Sequence, residues 1–91
     1  MTDKIASRLI RSQIRTVLLN VWDPIGIHNE PNSQDEYDGY VGEIYALLIR
    51  AATDQEITDR LLNIVQDTMG LDTAKAEDMR STVRALREIR M

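Results

Sequence analysis

Within residues 23–38 stand five carboxylates and the only imidazole of the chain: Asp23, His28, Glu30, Asp35, Glu36 and Asp38. The same neighbourhood holds the single Trp, both prolines and two of the three tyrosines, Tyr37 and Tyr40. Three kinds of chemistry suit such a set. Clustered carboxylate oxygens can hold a hard cation such as Ca²⁺, Mg²⁺ or Mn²⁺. A His beside carboxylates can act as a general base. Acidic side chains mixed with Trp and Tyr can form a docking patch for a basic partner, since these aromatics are enriched at binding hot spots.

The cation reading fails in its regular form. The nearest EF-hand register puts Glu36, Asp38 and Gly39 at loop positions 3, 5 and 6. It then leaves Gln34 at the first position and Tyr45 at the twelfth, where Asp and a bidentate Glu belong. An irregular carboxylate site, for a cation or a small molecule, stays open. His28 has no Ser or Cys nucleophile in a recognisable pattern, and no P-loop or dinucleotide motif is present. A lone His in a connection is more often solvated than catalytic. The sequence therefore predicts a protein that is not an enzyme and has no cofactor.

The patch remains the leading candidate: Trp22, Asp23, Asp35, Tyr37, Asp38 and Tyr40, offered to another, basic protein. Asp35 and Glu36 have a competing structural duty. "SQDE" at 33–36 fits a capping box, which places both acids in the first helical turn against the dipole. Asp38 lies past that turn on this register, which makes it the better functional carboxylate. Self-association into a homodimer is also compatible with the pattern.

The charge distribution narrows the partners. The net charge is −4 and the pI about 4.8, which disfavours a general binder of nucleic acid, whose affinity rests on cationic contacts to phosphate. Residues 1–19 carry Lys4, Arg8, Arg11 and Arg15 against Asp3, and residues 73–91 are also net basic. The middle of the chain is acidic. Such a pattern suits ends that pair with the middle. Lys4, Arg8, Arg11 and Arg15 fall on one helical stripe, a solvated face or a site for an acidic partner. No stretch has the length of a membrane span, the start lacks the apolar core of a signal peptide, and there is no Cys. A cytoplasmic protein is expected.

Four helices must position these residues. The first covers about 3–20, with Ile5, Leu9, Ile14, Val17, Leu18 and Val21 as its inner face. The second follows Ser33 and carries Tyr37, Tyr40, Val41, Ile44, Tyr45, Leu47 and Leu48. Gly39, Gly42 and Ala46 form a strip of small residues on it. Glycine within a helix costs about 1 kcal/mol against alanine, so the strip predicts close packing and a central position for this helix. The third begins at the capping box "TDQE", 53–56, and stops at Gly70, with Leu71 folding back. The fourth runs from an Asp72 cap to about Arg90, with Ala76, Met79, Val83, Leu86 and Ile89 inward and Arg80, Arg84 and Arg87 in a basic row. A "TMGLD" turn before it resembles a helix-turn-helix link, but Asp54, Glu56, Asp59 and Asp67 on the preceding helix would face phosphate. The expected fold is all-α: a single domain, residues 1–91, forming an antiparallel bundle of four helices. Residues 21–33 make one long packed crossing. There Asp23 and Pro24 open a helical turn, Gly26 bends the chain, and Trp22 packs over the second helix.

"WDPIGI" at 22–27 followed by "DEYDGYVGEIYALL" at 35–48 resembles a family of small uncharacterised bacterial helical proteins with WDPIG-type and DEYD-type elements. The likeness covers roughly residues 15–70. It implies bacterial origin and an all-helical domain, and it supplies no reaction. Small acidic proteins of this type are also similar to immunity partners of bacterial toxins.

Overall fold

The computed structural model describes residues 4–24, 26, 37–71 and 73–89. The proposed Ser33–Glu36 capping box, Asp35, His28, Glu30, the Asp72 cap and most of the 21–33 crossing lie outside these residues, as do the side chains of Lys4 and Ile5.

Ile10, Ile14 and Leu18 recur every four residues, and the first helix buries that row. Helix α1 spans Lys4–Val17 and continues as a π-helical turn, Leu18–Trp22. The Asp23 N–H donates to the Leu18 carbonyl at 2.8 Å, five residues back. The wider turn carries Trp22 onto the line of Leu18 and swings Val21 outward. Leu18, Leu19 and Trp22 are accordingly buried, whereas Val21 is 43% exposed. Leu9 is 60% exposed. The five-residue step from Leu9 to Ile14 is about 500° of rotation, so Leu9 leaves the inner face and Ile10 holds it.

Helix α2 spans Asp38–Ile49 and buries Val41, Ile44 and Leu48. It ends in a Schellman motif, Ala52 N–H to Leu47 O at 3.0 Å and Ala51 N–H to Leu48 O at 3.1 Å. Ala51 occupies the left-handed position at φ +57°, a place that favours glycine. Helix α3, Asp54–Asn63, starts at the expected capping box. Glu56 N–H donates to Thr53 Oγ1 at 3.1 Å, and Thr53 N–H to Glu56 Oε1 at 3.0 Å. A second π-helical turn, Ile64–Thr68, extends it. Gly70 at φ +71° then lets the Leu71 N–H return to the Val65 carbonyl at 2.9 Å. The backbone folds back as predicted, but the Leu71 side chain is 36% exposed.

The last helix starts later than the sequence suggests. A 3₁₀ turn, Ala76–Met79, leads into α4, Arg80–Arg87, and the Asp78 carboxylate accepts from the Lys75 N–H at 2.9 Å. Met79, Val83 and Leu86 are buried, whereas Ala76 is exposed.

The fold is an all-α, compact four-helix bundle, and no strand occurs among the described residues. Helix α1, with its π-turn, is the hub that takes α2 on one side and α4 on the other, and α3 packs on α4 and its 3₁₀ turn. The second helix is therefore not the central one. Its small strip is not tightly packed among the described residues: a Cβ at Gly39 would meet none of them within 4 Å, and one at Gly42 only the Arg11 Nη1 at 3.8 Å. No helix of the described residues is long and apolar enough to cross a membrane.

Candidate interaction surfaces

The predicted patch divides into an interior half and a surface half. Trp22 is 7% exposed and Tyr37 is fully buried. Their ring centroids lie 5.3 Å apart, and Tyr40 meets Trp22 edge-on at 6.0 Å. These geometries are the favourable tilted and T-shaped ones. The Tyr37 hydroxyl donates to Asp23 Oδ1 at 2.9 Å, tying the end of α1 to the start of α2. Trp22 and Tyr37 thus hold the two helices together and present little to a partner. The Trp22 indole Nε1 is buried with no acceptor among the described residues.

Asp23 closes α1 and also opens the turn that follows, as expected. Its φ of +29° ends the π-turn, and its carbonyl accepts from the Gly26 N–H at 3.2 Å. Gly26 makes the expected bend at φ +68°. Asp38 is also placed differently from the sequence register. It is the first residue of α2, inside the first turn, where its charge offsets the helix dipole. Its Oδ1 is 2.8 Å from Arg15 Nε. The expectation that Asp38 is a carboxylate without structural duty does not hold. Among the described residues, no group of three His, Asp or Glu stands together as a metal site.

The acidic middle does pair with the basic ends. Besides Arg15–Asp38, Arg87 Nε reaches Asp54 Oδ1 at 2.6 Å, and the same guanidinium donates to the Ala52 carbonyl. Arg87 therefore staples the link between α2 and α3 to α4, and one member of the basic row on α4 is committed to the fold. Within the middle, Arg60 meets Glu43 at 2.6 Å and Arg50 meets Glu56 at 2.9 Å. The hydrogen bond from the Thr53 backbone and the Arg50 guanidinium hold the Glu56 carboxyl below its ordinary value of 4.5.

One apolar surface was missed by sequence reasoning. An open groove of about 560 Å³ lies between α2 and α3. Ala46 and Leu47 supply its apolar wall, and Glu43, Arg50, Glu56, Asp59 and Arg60 supply its charges. Ile49, three residues along α2 from Ala46, is 55% exposed. Two signals in the sequence bear on it. Residues 40–49 are apolar nearly all round the helix, yet Ala51–Thr53 leaves only a short link to α3. A helix of that composition is ordinarily covered on most sides; among the described elements α2 packs closely only on α1. Comparison with protein-family models, with curated proteins and with solved structures finds no match for this chain.

Proposed function

We propose that the protein is a non-catalytic interaction module that takes an amphipathic helix of a basic partner protein into the groove between α2 and α3. The observation that carries this reading is the outer face of α2, which no described element covers and where Ala46 and Ile49 are exposed beside the half-buried Leu47. Apolar side chains flanked by charge are the usual lining of a helix-binding groove. The groove's carboxylates outnumber its guanidinium groups, and two of the three are already paired to Arg50 and Arg60. A partner helix with an apolar stripe and a basic flank complements it. Neutralisation of a cationic enzyme, as an immunity protein does, is one form of such binding, because opposite net charge steers the encounter. The bacterial origin implied by the 22–27 and 35–48 elements belongs to the same reading.

The test uses Ala46→Arg, which places a long cation on an exposed helical position and leaves the core untouched. Immobilised wild-type protein should retain one partner in stoichiometric amount from a lysate of the source cells, and the variant should lose it. Equal retention by both, with both folded by circular dichroism, contradicts the reading.

A further inference from the structure

A second cleft, between α1 and α2, has the opposite electrostatic character. It encloses about 320 Å³, and Arg8, Arg11 and Arg15 line one wall. One carboxylate, Asp38, and the bare backbone of Gly42 line the other. In a chain of net charge −4, the described residues of this cleft set three guanidinium groups against one carboxylate, a local excess of positive charge.

The arginines are not equivalent. Arg15 is held by Asp38 at 2.8 Å. Arg11 is fixed on two sides: its guanidinium carbon lies 4.5 Å from the Tyr45 ring centroid, and its Nε donates to Ser7 Oγ at 3.4 Å. A guanidinium stacked on an aromatic face keeps its outer N–H groups aimed and loses little freedom when a ligand arrives. Arg8 has no carboxylate at ion-pair distance among the described residues. Like charges three and four residues apart oppose the folding of a helix, and Asp38 offsets the one on Arg15. Gly42 faces the tip of Arg11, and an added Cβ would sit 3.8 Å from Nη1. The glycine that burdens α2 leaves the cleft empty where a larger side chain would fill it.

We propose that this cleft binds a phosphoryl group, with Arg8 and Arg11 as the forks that grip it and Arg15, steadied by Asp38, completing its charge. Arginine's planar donor pairs match phosphate oxygens bidentately, and the excess charge suits a dianion. The group comes either as free phosphate or on a small phosphomonoester. This site is independent of the α2–α3 groove.

The experiment is a titration of the ¹⁵N-labelled protein with sodium phosphate, O-phosphoserine or adenosine monophosphate, against sodium chloride at matched ionic strength. The Arg8 and Arg11 Nε–H resonances should shift saturably with at least one phosphate ligand and not with chloride, and the ligand that binds tightest identifies the source. Arg8→Gln removes one charged fork and should weaken that binding about tenfold or more. Gly42→Leu keeps every charge, fills the cleft and should weaken it similarly while the fold persists. Shifts that stay linear, that chloride reproduces, or that survive both substitutions overturn the proposal.

Discussion

Removing Trp22 tests how α1 is joined to α2. Truncating a buried Trp to Ala ordinarily costs about 3–5 kcal/mol. Here the ring packs on Tyr37 and Tyr40, and such contacts are worth about 0.5–1.5 kcal/mol each beyond area burial. The indole N–H works against it, because it is buried without an acceptor among the described residues. Relief of an unsatisfied donor returns about 1–3 kcal/mol. The net expectation for Trp22→Ala is a loss of about 2 kcal/mol, the truncation cost less the relief of the donor. Trp22→Phe keeps an aromatic ring beside both tyrosines and sheds the donor, so its loss should be under about 1 kcal/mol. Urea unfolding followed by far-UV circular dichroism measures both, since each variant lacks the only Trp of the chain. A Phe variant no more stable than the Ala variant would refute the argument about the donor. An Ala variant within about 0.5 kcal/mol of wild type, the range of an ordinary surface substitution, would refute the packing itself.

Other outcomes follow from single residues. Ala51→Gly relaxes a left-handed alanine at the end of α2 and should raise stability by about 1 kcal/mol in the same melts. Gly70 stands at φ +71°. Gly70→Ala introduces the same left-handed strain there and should lower stability by about 1–2 kcal/mol. Thr53→Ala removes the N-cap hydroxyl that Glu56 N–H donates to. Its cost in the same melts should be about 0.5–2 kcal/mol. The Glu56 carboxyl, the other half of that box, is depressed in the folded state. Its contribution is therefore present above 4.5 and is lost as pH falls through the lower folded value; the stability gap between wild type and Glu56→Ala should narrow there. In a double-mutant cycle, Arg15→Gln and Asp38→Asn should couple by about 0.2–1 kcal/mol, the range for exposed pairs, because both side chains are nearly half exposed.

What the sequence made legible is local. The Thr53–Glu56 box works through bonds spanning three residues, and Gly70 through its own φ, so both are visible in a short window. The inner rows of α2, α3 and α4 follow the helical period, and Val41, Ile44, Ile57, Leu61, Met79 and Val83 are all buried. The π-turn at the end of α1 breaks that period by one residue, and so Val21 leaves the inner face that α-helical spacing gives it. Asp38 illustrates the other limit. Its ion pair with Arg15 joins two different helices far apart in sequence, and no spacing rule on either helix specifies that encounter. The α2–α3 groove was hidden for the same reason, because an apolar helix reads as central whether or not its neighbours cover it.

The central claim is that the outer face of α2 receives a partner helix, and photo-crosslinking in the source cells tests it most directly. With a benzophenone side chain in place of Ile49, exposed on α2 three residues from the groove-lining Ala46, irradiation should yield one dominant adduct to a single protein. The adduct should vanish when Ala46→Arg is added, and the same probe in place of Ser81, on the exposed side of α4, should not form it. Adducts equally abundant from positions 49 and 81, or unchanged by Ala46→Arg, would contradict the account.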